Sequence, residues 1–419
     1  MRIHVISTGN EILRGHTLNT NLAFIGDALE RHGYSLDREV AVPDATAAIR
    51  QAVLEALSAA DVVITIGGLG PTSDDVTRDV VAAALGLPLQ LDEQVLRTIQ
   101  AFLGARSRCV SSESMRVQAM VPQGAVVLEN PNGTAPGLWC RQGGKVVVML
   151  PGPPRELMPM FTASVLPRLA QVGAPSRASA GLNVCGVPEP TVAETVEAVL
   201  RDFPGVTPAY CVRFSGVDVY LTTAPDRAPS LDAALARVRA ALGHGALPSG
   251  CSGLAEDVGR LLRERGLVLA VAESCTGGSL AAAVTSVPGA SEFFQGGVVS
   301  YANEWKVRLL GVREETLAQC GAVSAETAAE MLAGLLERHA VQAGVAITGI
   351  AGPAGGSPEK PVGLVFIGTA AAERRQVRRY QFPGNRETIR QRAVTAALTQ
   401  LRLDLLGAPM PDGSGVRER

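Results

Sequence analysis

The pattern of apolar and polar positions predicts an α/β domain at the start of the chain. Short apolar runs of strand length alternate there with stretches of helical periodicity. We expect strands at residues 3–7, 34–40 and 62–66, and helices at residues 21–31 and 46–59. The third run is apolar at four of its five positions, which is typical of a parallel strand covered on both faces. A later stretch, 137–150, predicts a hairpin that turns at Gly143-Gly144.

Two stretches rich in Gly, Pro and Ser, at 173–176 and 243–253, divide the chain further. We therefore predict three domains, with bounds 1–172, 177–246 and 252–406. The middle one has the order strand, helix, strand, strand, helix, which indicates a small α+β (KH-like) domain, although it lacks the G-x-x-G clamp of an RNA-binding KH module. The last one again alternates strands and helices as a second α/β domain does, with strands expected at 267–272, 297–301, 344–348 and 363–370 and helices at 254–265, 302–310, 325–339 and 386–405.

Composition excludes several classes of protein. Of the 419 residues, 47% are hydrophobic and 19% are charged, which favours globular packing over disorder. The net charge of −2 argues against a nucleic-acid-binding surface, and no apolar run is long enough to cross a membrane. Seven scattered cysteines without a C-x-x-C pair indicate reduced thiols. With no secretory leader visible, we expect a cytoplasmic location.

The run from Ala272 to Gly278 is the first candidate site. It follows a buried strand and precedes a helix, so its main-chain N–H groups could bind a phosphate or an oxyanion through Thr276, Gly277 and Gly278. An ordinary strand–helix turn with a Ser/Thr cap is the alternative. Ser274 and Cys275 are the two candidate nucleophiles, and the serine needs a base.

A lysine is the expected base for Ser274. The only histidine from residue 252 onward is His339, at the end of a helix, so a Ser-His-Asp triad has little support. Lys306 lies one helical turn after Tyr301, which ends a strand, so both could face one cleft. A desolvated lysine can lose its proton near neutral pH. A surface lysine on an amphipathic helix remains the alternative for Lys306.

Further along the chain, polar residues that could bind a substrate follow another strand and begin the last helix. Thr348 and Gly349 end a strand before a Gly/Ser/Pro loop, and Arg386 and Arg390 share one face of the following helix. The two arginines suit a phosphate clamp, or else they are solvated helix surface. Because this domain contains no metal-ligand cluster, we expect it to need no cofactor.

The second candidate site follows the strand at 62–66. Gly67, Gly68 and Gly70 would let the main chain approach an anionic group closely, with Thr72 next to them. The carboxylates that follow would repel a phosphate unless a divalent cation lies between them. Strand ends elsewhere add further candidates, so that the predicted metal ligands are Glu11, Asp44, Asp74, Asp75 and Asp79, with Asn21 as a substrate contact. The alternative is that Ser73 caps a helix whose first turn favours aspartate.

These motifs, in this order, resemble the CinA family. The C-terminal third is similar to its nicotinamide mononucleotide (NMN) deamidase domain through 272–278, Tyr301-x-Asn303-x-x-Lys306, 321–324, 348–353 and 359–363. The N-terminal part resembles the molybdopterin-binding fold, and more closely the N-terminal CinA domain, through 9–13, 19–21, 67–75, 133–137 and 151–154. Two segments depart from the family. Ser114-Met115-Arg116-Val117-Gln118 stands where an Asn-x-Lys-Gln-like segment is usual, and residues 186–190 of the middle domain end in Pro190 where serine is usual.

The resemblance implies two reactions on small nucleotides. The first is amide hydrolysis of NMN, with Ser274 as nucleophile, Lys306 and Tyr301 as proton-transfer partners, and Thr348 and the arginines near 386 against the substrate. The second is a metal-dependent pyrophosphatase reaction on ADP-ribose in the N-terminal domain. It also implies a homodimer. Two alternatives remain: a molybdopterin-binding protein with an inert C-terminal domain, and an accessory protein of DNA competence or repair.

Overall fold

The structure, a computed structural model, describes residues 1–105, 110–175, 177–251 and 253–409. Its internal contacts divide the chain into two compact units. The first consists of residues 1–179 and 222–231, and the second of residues 180–221 together with everything from 232 onward. The three-domain boundaries stay a prediction. In the described residues, no helix is both long and apolar enough to cross a membrane.

The first unit is built on a six-stranded sheet with helices on its faces. Its strands are β1 (Ile3–Thr8), β2 (Leu36–Val42), β3 (Val62–Ile66), β4 (Leu89–Leu91), β5 (Met120–Pro122), β6 (Val126–Leu128), β7 (Gly137–Gln142) and β8 (Lys145–Leu150). The sheet order is β2-β1-β3-β8-β7-β6, and β4 pairs with β5 in a separate ribbon. The four strands β2, β1, β3 and β8 run parallel, whereas β7 runs antiparallel to both of its neighbours, β8 and β6. The hairpin predicted at Gly143-Gly144 is confirmed.

The helices of this unit pack on both sides of the sheet. They are α1 (Asn10–Leu13), α2 (Thr20–Arg31), α3 (Thr46–Ala59), α4 (Thr77–Leu85), α5 (Glu93–Gly104), α6 (Ser112–Gln118), α7 (Pro154–Met160) and α8 (Leu166–Val172), with a π-helical turn at Phe161–Val165. Two buried clusters form the core, one around Val53 and Val63 and the other around Ile25 and Ile64. Because β3 contributes to both clusters, four of its five residues are apolar, and the fifth, Thr65, is buried as well.

The middle part of the chain forms a three-stranded sheet in the order β10-β11-β9. Its elements are β9 (Ala178–Val184), α9 (Glu189–Leu200), β10 (Thr207–Arg213), β11 (Gly216–Thr223) and α10 (Ala228–Leu242), with 3-10 turns at Pro225–Arg227 and Gly243–Gly245. The predicted order of strand, helix, strand, strand, helix is confirmed, with bounds that differ by a few residues.

The C-terminal part forms a five-stranded sheet in the order β13-β12-β14-β15-β16. Its strands are β12 (Leu269–Glu273), β13 (Phe294–Val299), β14 (Ala343–Gly349), β15 (Leu364–Ala371) and β16 (Arg374–Gln381). Its helices are α11 (Leu254–Arg265), α12 (Ser279–Thr285), α13 (Asn303–Leu310), α14 (Glu314–Cys320), α15 (Ala325–His339) and α16 (Arg386–Leu406), with a 3-10 turn at Ala290–Glu292.

Strand direction in this sheet brings three loops together. β12 is an inner strand that runs parallel to both neighbours, β13 and β14, while β15 runs antiparallel to both β14 and β16. The carboxyl ends of β13, β12 and β14 therefore lie at one edge, where α/β folds bind their ligands. Ser300, Ser274 and Ile350 are the first residues beyond those three ends. The α/β class is confirmed.

Candidate active sites

A buried serine–lysine pair lies at this edge of the C-terminal sheet. The Lys306 Nζ is 3.2 Å from the Ser274 Oγ, although the two residues are 32 positions apart. Lys306 is 1% exposed and Ser274 is 8% exposed. The strand ends of β12 and β13 supply the backbone around the pair, and α13 carries the lysine inward. The sequence-based alternative of a surface lysine is wrong, because the side chain is directed into the sheet edge rather than to solvent.

The surroundings of Lys306 favour its neutral form. Its Nζ donates to the carbonyl oxygens of Ser300 at 2.7 Å and Tyr301 at 3.2 Å. Burial lowers the pKa of the Lys306 ammonium from its ordinary value of 10.5, and among the described residues no carboxylate forms an ion pair with it. A neutral amine has two hydrogens and one lone pair. In the neutral form, an amine that donates both hydrogens to the carbonyls keeps its lone pair for the Ser274 hydroxyl, whereas in the charged form the Nζ donates to all three oxygens.

The thiol of Cys275, the residue after Ser274, lies in an apolar environment. Cys275 is 6% exposed and packs within the hydrophobic core of the second unit. Burial raises the pKa of the Cys275 thiol to about 12. Because the thiolate is the reactive form of cysteine, this environment disfavours Cys275 as a nucleophile.

The N-terminus of α12 is occupied by a side chain of the protein itself. The Glu273 carboxylate accepts main-chain N–H groups from Gly278 at 3.0 Å, Leu280 at 3.1 Å and Ala281 at 2.8 Å. Glu273 is 1% exposed. Of the three residues expected to offer N–H groups to a phosphate or an oxyanion, Gly278 therefore does not, because the Glu273 carboxylate already accepts its N–H. The Gly277 N–H donates to the Ser274 carbonyl oxygen instead.

Arginine side chains from α16 cross over the same loop. The Arg390 guanidinium donates to the Thr276 carbonyl oxygen at 2.7 Å and to the Ser279 Oγ at 2.8 Å. Arg386 donates instead to the Gly352 carbonyl oxygen at 2.9 Å and to the Tyr301 hydroxyl at 3.0 Å. The two arginines predicted to clamp a phosphate therefore have different contacts. Arg390 holds the loop that carries Ser274, whereas Arg386 lies on the solvent-exposed side of that loop.

Three other predicted residues have structural partners. The Tyr301 hydroxyl bonds to Arg386, and it is the carbonyl of Tyr301 that meets Lys306. Thr348 is fully buried, and its hydroxyl donates to the Ala322 carbonyl oxygen at 2.6 Å. A Cβ at Gly349 would lie 2.7 Å from the Val365 side chain, so a glycine is required there by packing between β14 and β15.

A second candidate site is an acidic cleft of about 360 Å³ at the edge of the N-terminal sheet. The carboxyl ends of four parallel strands open into it, as expected for a parallel sheet. Glu11, Asp44, Asp74 and Asp75 line the cleft, together with Gly67, Gly68 and Gly70. Asp79, Asn21 and Thr72 do not line it: Asp79 lies beside Arg78 on the exposed side of α4, and the Asn21 amide donates to the Gly152 carbonyl oxygen at 2.6 Å.

The glycine loop is shaped by the protein's own packing. Gly67 and Gly68 both have positive φ, at 97° and 68°. A Cβ at Gly67 would lie 2.8 Å from the Thr8 carbonyl oxygen, and Cβ atoms at Gly68 and Gly70 would overlap Thr77 and Asp75. The sequence predicts an anion beside these glycines, but atoms of the protein itself already require them.

Asp74 and Asp75 form a carboxylate pair around one hydroxyl. The Thr72 Oγ1 lies 2.5 Å from the Asp74 Oδ1 and also bonds to the Asp75 Oδ2. The Thr72 hydrogen bond lowers the pKa of Asp74. Because α4 begins only at Thr77, with Val76 as its N-cap, the prediction that Ser73 caps this helix is wrong.

Glu156 is a cleft residue that the sequence analysis did not identify. It is 7% exposed, and the Asn130 amide donates to its Oε2 at 2.8 Å. A Cβ at Gly133 would overlap this carboxylate. The signal available in the sequence was a glutamate in the first turn of the helix that follows a parallel strand. Gln118 is the last residue of the segment 114–118, whose sequence differs from the usual family pattern. It is also buried and lines the cleft.

The donor set of the cleft fits a hard divalent cation. Carboxylate oxygens are the ligands that Mg²⁺ prefers, and it often takes one or two of them with substrate phosphates and waters. Asp74 and Asp75 offer such a pair. Within the described ranges, no group of three or more His, Cys, Asp or Glu side chains is arranged to hold a metal. The five predicted ligands are therefore not assembled into one site, and their roles stay a prediction.

Both parts of the chain match known families. Residues 4–171 match the family described as "Probable molybdopterin binding domain", and residues 252–405 match "CinA C-terminal domain". A solved structure titled as the protein CinA with unknown function, from Thermoplasma acidophilum, is 41% identical, covers 40% of this chain and 98% of its own, and has a TM-score of 0.37.

Two relatives match almost the full length of this chain. A protein of Moorella thermoacetica described as "Putative competence-damage inducible protein" is 43% identical over 405 residues, which are 95% of this chain and 97% of that protein. A CinA-like protein of Kosmotoga olearia is 38% identical over 410 residues, which are 97% of this chain and 99% of that protein. With identity at this level across almost the entire length, and with both family domains in order, the chain belongs to the CinA family.

Proposed function

We propose that the C-terminal domain is a nicotinamide-nucleotide amidohydrolase, which converts NMN and water to nicotinate mononucleotide and ammonia. One observation carries the proposal. The buried Lys306 amine lies 3.2 Å from the Ser274 hydroxyl, and its other contacts are two carbonyl oxygens that only accept hydrogen bonds. That arrangement suits a lysine that removes the serine proton, which is the requirement for a serine nucleophile without histidine.

The reaction proceeds in two halves. Lys306 takes the Ser274 proton while the Oγ attacks the carboxamide carbon, and the resulting ammonium then protonates the leaving nitrogen as the C–N bond breaks. Ammonia departs and leaves an ester between Ser274 and the nicotinoyl group. Water attacks that ester with Lys306 again as the base. The nicotinate carboxylate is released, and the serine recovers its proton.

Two main-chain donors are assigned to the oxyanion by elimination. In the described loop from Ser274 to Ala281, the N–H groups of Ser274, Gly277 and Ser279 have carbonyl acceptors. Those of Gly278, Leu280 and Ala281 donate to Glu273. The N–H groups of Cys275 and Thr276 remain, directly after the nucleophile. Preorganised N–H donors at this position stabilise the charge that develops in acyl transfer.

Arg386 is the residue that we assign to the substrate phosphate. Its guanidinium lies beside Tyr301, whose side chain is 60% exposed at the open side of the loop. Arginine binds phosphate through two parallel N–H donors. Arg390 is assigned to the Ser274 loop instead, because its donors are already directed at Thr276 and Ser279.

The test is ammonia release from NMN in excess EDTA. Wild type should turn over, and Ser274→Ala and Lys306→Ala should each lose about two to four orders of magnitude in kcat. Ser286→Ala, at the far end of α12, is the matched control and should keep wild-type activity. Turnover that persists in Ser274→Ala but disappears in Cys275→Ala would assign the nucleophile to the thiol and overturn the proposal.

The N-terminal cleft favours a second reaction, metal-dependent hydrolysis of the diphosphate of ADP-ribose. Glu11, Asp44, Asp74, Asp75 and Glu156 line it, whereas none of its described lining residues is lysine or arginine. A diphosphate can enter such a cleft only with cations that offset the repulsion. Asp74 and Asp75 would hold the ion, which neutralises phosphate charge when bound. Formation of AMP from ADP-ribose with Mg²⁺, its loss in EDTA, and its loss in Asp75→Asn would support this; activity in EDTA would contradict it.

A further inference from the structure

The loop between β14 and β15, residues 350–363, contacts the arginine that we assign to the substrate phosphate. The two ends of the loop are joined, because the Gly363 N–H donates to the Ile350 carbonyl oxygen at 2.7 Å. Near the beginning of the loop, the Gly352 carbonyl oxygen accepts a hydrogen bond from the Arg386 Nη1 at 2.9 Å. The orientation of the Arg386 guanidinium therefore depends on where this loop lies.

The far part of the loop is attached to the rest of the domain by Lys360. Its Nζ donates to the carbonyl oxygen of Cys320 at 2.5 Å and to that of Val323 at 2.8 Å. Cys320 is the last residue of α14, and the carbonyl groups at the end of a helix have no partner within the helix. A lysine ammonium is a favourable donor there, because it is also attracted to the negative end of the helix dipole. Lys360 thus joins the loop to the turn at 320–323.

That turn is fixed independently of the loop. The Gly321 carbonyl oxygen accepts the Thr327 hydroxyl at 2.8 Å, and the Ala322 carbonyl oxygen accepts the Thr348 hydroxyl at 2.6 Å. Both threonines are fully buried. The turn is therefore a fixed point to which the loop is attached.

Packing within the loop connects Lys360 with Gly352. Val362 lies two residues after Lys360 and packs against Gly352, where a Cβ would lie 2.6 Å from the valine side chain. A Cβ at Gly356 would lie 2.9 Å from the Val362 main-chain nitrogen. Because the loop packs so closely on itself, its release from the turn at 320–323 should also displace the Gly352 carbonyl oxygen.

The contacts of Arg386 leave room for a phosphate. Its Nη1 donates to Gly352, and its Nη2 donates to the Tyr301 hydroxyl at 3.0 Å. Each of these nitrogens has a second hydrogen, so one hydrogen on each is left for a ligand. Two parallel N–H donors are the arrangement by which arginine binds a phosphate. Their direction is set by the two contacts that hold the guanidinium.

We propose that Lys360 is a positioning residue for the substrate phosphate, because it holds the loop whose Gly352 carbonyl oxygen orients Arg386. The proposal rests on the proposed hydrolysis of NMN, and it adds a determinant of specificity for the phosphorylated nucleotide. Without Lys360, the Ser274–Lys306 pair keeps its own contacts, whereas the guanidinium loses its alignment.

The test compares NMN with nicotinamide riboside, which is the same molecule without the phosphate. Dissociation constants are measured by calorimetry in the Ser274→Ala background, so that the ligand is not consumed. Lys360→Met should weaken NMN binding about ten-fold or more and change riboside binding less than about two-fold, because only the phosphate contact is affected. Glu359→Gln is the matched control: it removes the neighbouring charge but keeps an acceptor for the Ser357 hydroxyl, and both constants should stay unchanged.

A double variant tests whether Lys360 acts through Arg386. Arg386→Gln alone should weaken NMN binding, and Lys360→Met should then weaken it by less than about a further two-fold, since the two residues act as a unit. Equal weakening of NMN and riboside, an unchanged constant for NMN, or full additivity of the two variants would overturn the proposal.

Ammonia release is followed in parallel in proteins that retain Ser274. NMN binding that depends on Lys360 without ammonia release in wild type refutes the amidohydrolase alone. Ammonia release in wild type together with unchanged NMN binding in Lys360→Met refutes the role of Lys360 alone.

Discussion

Replacement of Lys306 by methionine removes the amine while keeping a side chain of similar length in a buried position. The amine makes three contacts, with Ser274 and with the carbonyl oxygens of Ser300 and Tyr301. Loss of a positioned base lowers kcat by about two to four orders of magnitude. Each carbonyl left without its donor costs about 1–3 kcal/mol of folding free energy.

Wild-type activity should also depend on pH in a defined direction. Burial lowers the pKa of Lys306 from 10.5, and only the neutral amine can act as a base. The rate should therefore rise with pH through that lowered pKa and reach a plateau below 10.5. The Lys306→Met variant should lose this rise of the rate with pH along with its activity.

The free energy of unfolding should change with pH in the same direction as the rate. Between the lowered native pKa and 10.5, the unfolded chain holds a proton on this lysine that the native protein does not, so the free energy of unfolding rises with pH there. Urea unfolding of wild type and Lys306→Met at several pH values measures this. A methionine variant that keeps more than about a tenth of kcat, given the expected loss, would refute the role of Lys306. A wild-type rate that rises only at or above pH 10.5 would refute the effect of burial on the pKa of Lys306.

Three further outcomes are expected. Cys275→Ala should keep NMN turnover, and native Cys275 should resist iodoacetamide at pH 8, because burial raises the pKa of its thiol to about 12; rapid labelling that abolishes activity would contradict this. Glu273→Gln should lower the free energy of unfolding by about 2 kcal/mol, since an amide cannot accept all three N–H groups and charged hydrogen bonds contribute about 1.5–3 kcal/mol; an unchanged urea midpoint would argue against it. Chelation of divalent metals should abolish ADP-ribose hydrolysis and leave NMN hydrolysis intact, and a parallel loss of both would contradict separate sites.

Much of the architecture could be predicted because apolar periodicity is a local property of the sequence. The buried strand β3 and the amphipathic helices α11 and α15 have the predicted bounds. The observed ends of strands and helices differ from the predicted ones where tertiary packing outweighs the local sequence pattern. The second strand begins at Leu36 rather than at residue 34, since the Tyr34 N–H donates to the Leu29 carbonyl oxygen of α2 and not to a neighbouring strand.

The Ser274–Lys306 pair could also be proposed from the sequence. Both residues follow the ends of strands, and the carboxyl ends of parallel strands share one edge of a sheet. The rarity of lysine made the assignment sharper, because the C-terminal domain contains only Lys306 and Lys360. What the sequence left open was whether Lys306 faced solvent, and only the packing of α13 against the sheet decided it.

The sequence by itself determined the fold class, the order of most elements and the loops where chemistry can occur, because these depend on periodicity and on residue type at strand ends. Tertiary structure alone decided which polar groups already have partners. Glu273 occupies the start of α12, Arg390 holds the Ser274 loop, and Glu156 enters the acidic cleft through a space left by Gly133. Such pairings join residues that are distant in the chain, and a local pattern contains no information about the distance or direction between them.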